Sequence, residues 1–297
     1  MKVLALDIGG TFIKCAIMND KAELLKQWKV PSDTSGMDAL MESLDSIIAP
    51  HIEEVAGVAI SMPGKIDAKK GIAFTGGAFQ FINNWKVAEE LEAKYGKPVA
   101  VDNDGKCAAN AEVWVGALKD VENGLVYVIG TGIGGGVVID KKVHRGTHFA
   151  AGELSCCMTN IEQEGFTPFN FVATHFATPG LIRAYEMQSQ EVGVDGVRFF
   201  KEVEAGNKIA NEVLDKFAQA TANYFYNLQV VLDVDRIAIG GGISAAPALI
   251  ERIRQAYHKI YQMDFPLPCE EAEIVKCAFG NDANLIGAVK HFLDSKV

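Results

Sequence analysis

Twice in this chain a short apolar run breaks on glycines and then resumes. Residues 2–8 lead into Gly9-Gly10-Thr11 and continue as Phe12 to Met18. Leu125 to Ile129 lead into Gly130-Thr131-Gly132-Ile133-Gly134-Gly135-Gly136 and continue as Val137 to Ile139. Each run is too short for a helix and suits a buried strand, so each unit reads as strand, glycine loop, strand. Two such units about 120 residues apart predict a duplicated α/β fold. A third strand at Leu24 to Val30 makes the opening an antiparallel meander. Met37, Leu40, Met41, Leu44, Ile47 and Ile48 recur at helical spacing before a strand at Val55 to Ile60. Lys86 to Tyr95 reads as a helix closed by Gly96 and Pro98, Val99 to Val101 as a strand, and Gly105 to Ala117 as a helix. The second half carries a long amphipathic helix around Ile209 to Leu228, a strand at Arg236 to Ile239 and a helix from Pro247 to Gln262. A strand at Ile274 to Phe279 and a helix from Asn284 to Leu293 follow. The pattern assigns no element to Glu162–Ser189.

With 297 residues, 49% of them hydrophobic and 22% charged, the chain is long enough for two lobes. The repeat places their boundary near residue 118: an N-terminal α/β lobe over 1–118, joined by the C-terminal helix 284–297, and a C-terminal α/β lobe over 119–283. A net charge of −10 argues against nucleic acid or an anionic membrane as partner, since both need a cationic face. No run reaches the roughly 18 apolar residues that would span a bilayer, and no secretory leader is visible. Six cysteines in a chain of this length read as reduced thiols, which points to the cytoplasm.

Four segments carry chemistry. Asp7-Ile8-Gly9-Gly10-Thr11, with Lys14, can bring backbone N–H groups to an anion while a hydroxyl and a carboxylate reach phosphate oxygens or metal-bound water. A plain hairpin turn is the alternative. Gly130, Gly132 and Gly135 match a G-x-G-x-x-G pattern, but a strand follows rather than the helix a dinucleotide site requires, so the match reads as a phosphate-gripping hairpin. No classical P-loop occurs. Asp102-Asn103-Asp104 sits between a strand and a helix, where a carboxylate could take the proton of an attacking hydroxyl; helix capping is the alternative. Gly240-Gly241-Gly242 follows a strand at a place where backbone could approach a flat adenosine.

Together these segments resemble the ROK family, named for repressors, open reading frames and kinases. The resemblance rests on Asp7 to Thr11 with Lys14, Ser61-Met62-Pro63-Gly64 with Asp67, Asn103-Asp104, Gly130 to Gly136, Ala151-Gly152-Glu153, Gly240 to Gly242, and Gly280-Asn281-Asp282-Ala283. It implies a duplicated actin-like ATPase (ribonuclease H-like) fold whose two lobes hold an active site in their cleft, and a cytoplasmic ATP- and Mg²⁺-dependent sugar kinase working as a homodimer. Asp104 would be the catalytic base. Asn103, Glu153, Asn84 and Gly64 would bind the sugar. Gly9, Gly10, Thr11, Lys14, Gly130, Thr131, Gly132 and Gly134 would surround the phosphates, Gly241 would line the adenosine pocket, and Asp7 would hold Mg²⁺ through water. Lys14 and Asn84 keep an ordinary reading beside this one, as a solvated lysine and a turn asparagine.

Two departures narrow the resemblance. Most family kinases follow the Gly-Glu pair with a histidine and a cysteine-rich run that binds a structural zinc. Here Cys156 and Cys157 follow instead, and no cysteine lies between Cys157 and Cys269. A tetrahedral zinc site needs about four ligands held close together, so no structural zinc is expected and the two cysteines read as buried small hydrophobes. The zinc-less pattern, with Thr75-Gly76-Gly77-Ala78 ahead of Phe81-Ile82-Asn83-Asn84-Trp85, is similar to the β-glucoside kinase branch, which phosphorylates the 6-hydroxyl of disaccharides such as cellobiose and gentiobiose. A monosaccharide kinase acting on glucose, fructose or N-acetylmannosamine is the alternative within the class. A sugar-sensing regulator without kinase activity is the alternative outside it, and would be expected to carry a helix-turn-helix ahead of Asp7.

Overall fold

The structure, a computed structural model, describes residues 1–159 and 167–296. The chain divides into two compact units, one of residues 1–119, 142–151 and 281–297, the other of residues 120–141 and 152–280. Residues 142–151, assigned above to the C-terminal lobe, cluster with the first unit, where the Arg145 guanidinium pairs with the buried Asp102 carboxylate.

In the first unit, β1 (Lys2–Ile8), β2 (Phe12–Asn19) and β3 (Leu24–Pro31) form the meander, followed by α1 (Met37–Ile48) and β4 (Val58–Met62). Three short strands, β5 (Ile66–Asp67), β6 (Ile72–Thr75) and β7 (Asn83–Trp85), make a small antiparallel sheet. Then come α2 (Val87–Tyr95), β8 (Val99–Asn103) and α3 (Asp104–Val115). The main sheet has the order β3-β2-β1-β4-β8, antiparallel in the meander and parallel from β1 through β4 to β8. Val3 to Ile8 and Val58 to Met62 are buried without alternation, as expected of strands covered on both faces. The parallel register sets Asp7 beside Ser61 and Ser61 beside Asp102.

The second unit contains β9 (Gly124–Ile129) and β10 (Ile133–Ile139), and the chain continues through β11 (Lys142–His144), α4 (Val172–Phe176), α5 (Thr178–Ser189), α6 (Gly196–Glu204) and α7 (Lys208–Leu232). Next are β12 (Arg236–Gly240), α8 (Pro247–Tyr261) and β13 (Glu273–Lys276); the last helix, α9 (Ala283–Lys296), returns to the first unit. The second sheet runs β11-β10-β9-β12-β13, the first sheet's order repeated strand for strand. Among the described residues no helix is long and apolar enough to cross a membrane.

Three expectations change. The glycine run at 130–136 does not form one loop: Gly134 to Gly136 lie inside β10, paired with Val128 to Val126, and only Gly130 to Gly132 turn. Gly135 is obligatory there, since its φ is +150° and a Cβ would sit 2.0 Å from the Val126 carbonyl oxygen. Residues 167–189, for which the sequence suggested no element, hold α4 and α5, while Asn160–Phe166 lie outside the described residues. Cys156 is exposed and Cys157 partly exposed rather than buried, because the short helical turn Leu154–Cys156 sends Leu154 inward instead.

Candidate active site

At the end of β1, Asp7 is 6% exposed and accepts three hydrogen bonds. Ser61 Oγ and Asn284 Nδ2 donate to Oδ1 at 3.0 and 3.1 Å, and Lys14 Nζ donates to Oδ2 at 3.1 Å. Lys14, its side chain 37% exposed, is thus both solvated and an ion-pair partner of Asp7, its ammonium also reaching the Asn281 carbonyl at 3.3 Å. A carboxylate offers about four acceptor positions, which leaves one on Oδ2 for a metal-bound water. Between β1 and β2 the turn is closed by Gly9 N–H donating to Phe12 O at 3.1 Å, and the Ser32 hydroxyl donates to Gly9 O. A Cβ on Gly10 would come within 3.0 Å of Ala78, which brings the Thr75 to Ala78 loop to the glycine turn. Thr11 O accepts from Ser32 N–H at 3.0 Å.

Asn103 and Asp104 stand where β8 passes into α3. Asn103 is the N-cap, its Oδ1 accepting from Lys106 N–H at 3.2 Å, so the capping alternative is realised. Its Nδ2 also donates to Gly64 O at 3.0 Å, a contact that capping alone does not require. Gly64 has φ +109° and a Cβ there would lie 2.1 Å from Thr75 O, so only glycine brings this carbonyl to Asn103. Asp104, partly exposed, opens the helix, with Oδ1 accepting from Gly105 N–H at 2.8 Å. Beneath it, Asp102 is 1% exposed. It accepts from Asn103 N–H at 2.9 Å, from Asn110 Nδ2 at 3.4 Å and from the Arg145 guanidinium through Nε and Nη2. Burial pulls the Arg145 pKa down, but the charge and hydrogen bonds of Asp102 outweigh it and hold the guanidinium above its ordinary value. Asn84, in β7, is exposed at φ +55°, with Nδ2 donating to Asn83 Oδ1 at 2.6 Å.

In the second unit, Gly130 N–H donates to Gly132 O at 2.9 Å, and Ser155 Oγ bridges the N–H and carbonyl of Ile133 at 2.9 and 2.7 Å. Thr131 is exposed at the tip of this turn. Gly130 and Thr131 share a cavity of about 620 Å³ with Thr178, Gly196, Phe200, Gly242 and Ile243, among others. Gly241, at the turn before Gly242, has φ +92°, and a Cβ would lie 2.1 Å from Ile129 O. The cavity thus combines glycine backbone at two strand ends and apolar side chains such as Phe200 and Ile243 with the charged Asp195, Lys201 and Glu204, a mixed lining that could take a flat ring on its apolar part and polar groups beside it. Glu153 is exposed, just ahead of the Leu154–Cys156 turn. Among the described residues, no group of three or more His, Cys, Asp or Glu side chains converges so as to hold a metal ion.

The sequence pointed to the polar residues at strand ends but missed their supports. Asn284 lies 277 residues from Asp7 and Arg145 lies 43 from Asp102, separations that no local pattern reports. Ser61 was visible only as part of Ser61-Met62-Pro63-Gly64.

A family model described as the ROK family matches residues 3–295, and the chain belongs to this family. A β-glucoside kinase of Klebsiella pneumoniae is 32% identical over 98% of this chain and 96% of that protein. One from Listeria innocua is 31% identical over 100% and 99%. Among solved structures, a Listeria monocytogenes protein described as a candidate N-acetylmannosamine kinase superposes with a TM-score of 0.88 at 30% identity, covering 100% of both chains. A ROK family protein of Streptococcus pneumoniae in complex with sucrose gives 0.89 at 28%, covering 100% and 99%. The fold is the actin-like ATPase fold of these sugar kinases.

Proposed function

We propose that this protein is an ATP-dependent sugar kinase that transfers the γ-phosphoryl group to the 6-hydroxyl of a β-glucoside disaccharide such as cellobiose or gentiobiose. The observation that carries the reading is Asp104 at the start of α3, beside an Asn103 that is fixed both by capping the helix and by the Gly64 carbonyl. Asp104 accepts the proton of the sugar hydroxyl as that oxygen attacks the γ-phosphorus in line. The bond to the β,γ-bridging oxygen breaks, and ADP leaves. Asn103, Gly64 and Asn84 of the first unit bind sugar hydroxyls, and the family resemblance adds Glu153 as a sugar-binding residue. By the family resemblance, Gly9, Gly10, Thr11 and Lys14 are phosphate-binding residues, as are Gly130, Thr131, Gly132 and Gly134, and the second unit's own cavity, bordered by Gly242, receives the adenosine.

Mg²⁺ neutralises phosphate charge when bound. The open acceptor position on Asp7 Oδ2 suits a metal held through water, while Ser61 and Asn284 keep the carboxylate aimed. The disaccharide assignment is supported by β-glucoside kinases at 31–32% identity over nearly the full chain. The N-acetylmannosamine description at 30% identity favours a second reading, a monosaccharide kinase. The enzyme works as a cytoplasmic homodimer, with its two lobes corresponding to the duplicated sheets.

The test is ADP release by the purified protein with ATP and Mg²⁺ against gentiobiose, cellobiose, glucose, fructose and N-acetylmannosamine, with a chelator control. Turnover on the disaccharides supports the proposal. Turnover on one monosaccharide alone keeps the chemistry and replaces the substrate, and silence across the panel counts against a kinase.

A further inference from the structure

Phe149 holds a backbone conformation that its side chain disfavours. Its φ is +64°, and for a bulky residue the left-handed region is a genuine outlier. Such strain persists only where surrounding structure over-determines it, and it gathers at ligand clamps. Here the segment 145–151 is closed by Ala151 N–H donating to Arg145 O at 3.2 Å, and the Phe149 ring stacks on Phe74 with centroids 5.9 Å apart and planes at 29°. Phe74 lies on β6 after the fully buried Ala73, so strand alternation turns it to the opposite face, where Lys65 Nζ sits 5.5 Å from its ring centroid. Phe74 N–H donates to Lys65 O at 2.9 Å, and Lys65 directly follows Gly64, whose carbonyl holds Asn103. The stacked pair thus adjoins the contact that flanks Asp104. Both rings remain partly exposed, and nothing in the phosphoryl transfer described above uses them.

We infer that Phe149 and Phe74 form an aromatic platform for the second, β-linked hexose ring of the acceptor. A β-linked glucose ring has equatorial hydroxyls and presents faces of C–H groups, whose partial positive charge suits the negative face of an aromatic ring. Burying an aromatic face against such a ring discriminates a disaccharide from glucose without any added hydrogen bond. This inference rests on the β-glucoside reading of the site.

The experiment compares kcat/KM for gentiobiose and cellobiose with kcat/KM for glucose in the wild type and in Phe149→Ala, Phe149→Tyr and Phe74→Ala. Phe149→Ala is expected to lower the disaccharide-to-glucose ratio about tenfold, through KM for the disaccharide, with Phe74→Ala acting in the same direction and Phe149→Tyr retaining the ratio. Phe149→Gly, which relieves the positive φ, serves if the alanine variant does not fold. A wild type that phosphorylates disaccharides while the Phe149 variants keep its ratio overturns the platform alone. A wild type that phosphorylates no disaccharide overturns the substrate reading and the platform with it.

Discussion

The two sheets share one strand order but end in opposite chemistry. In the first, the row across β1, β4 and β8 reads Asp7, Ser61, Asp102. In the second, the register sets Val128 of β9 beside Gly240 of β12, and a Cβ on Gly240 would meet Cys277 Sγ at 3.1 Å. Both rows sit where a parallel sheet exposes backbone ends and helix starts, the usual place for ligands in such folds. One row has become a polar network that aims carboxylates. The other has become close-packed glycine and small side chains that let backbone approach a ligand. The two equivalent positions differ in side-chain charge, with carboxylates in one row and glycine with apolar side chains in the other.

Substitutions that blur this contrast should hurt each half in its own way. The largest effect is expected from Asp102→Ala, which leaves the partly buried Arg145 guanidinium without its carboxylate. Breaking such a pair costs about 3–5 kcal/mol, measurable by urea unfolding. Gly241→Ala should cost about 1–3 kcal/mol and weaken nucleotide binding in calorimetry, since φ is +92° and a Cβ meets Ile129 O. Gly130→Ala, whose nearest atom is 3.8 Å away, should leave stability within about 0.5 kcal/mol.

A finer test uses the thiols. Burial pushes the Cys15 thiol up to about 12 and raises Cys107 well above its usual value, the latter aided by the Asp102 charge. Brief alkylation followed by mass spectrometry should label exposed Cys156 first and leave Cys15 and Cys107 unmodified until the chain unfolds. The smallest effect is a pH dependence. Burial lowers the pKa of His291 in α9 below its ordinary 6.5, and the unfolded imidazole binds a proton more readily than the folded one. This contribution to stability is complete above about pH 6.5 and is lost as pH falls through the folded pKa. Tm should drop as pH is lowered from 7.5 to 5.5, and His291→Phe should flatten that drop.

Periodicity was enough to recover the meander, the repeated strand–glycine–strand unit and the long helices, because each is a local pattern of burial. The β5-β6-β7 sheet went unread: strands of two to four residues carry too little alternation to register. The strand character of Gly134 to Gly136 was hidden because glycine has low strand propensity, and pairing with Val126 to Val128 overrides it. Asp7, Asn103 and Asp104 were legible as polar residues where strands give way to a turn or a helix. Asn284, which holds Asp7, and Arg145, which pairs with the neighbouring Asp102, were not, since each contact exists only after the chain has folded. Burial of Cys156 was misjudged because a single helical turn chooses which of its residues faces inward, and Leu154 took that place.

The most direct test of the central claim is the kcat of Asp104→Asn on the best sugar of the panel. The variant keeps the side chain's size at the start of α3 and removes only the base, and positioned general bases typically contribute 10²- to 10⁴-fold. The account predicts a loss of at least about a hundredfold with Tm unchanged; a variant that retains near wild-type turnover would contradict it.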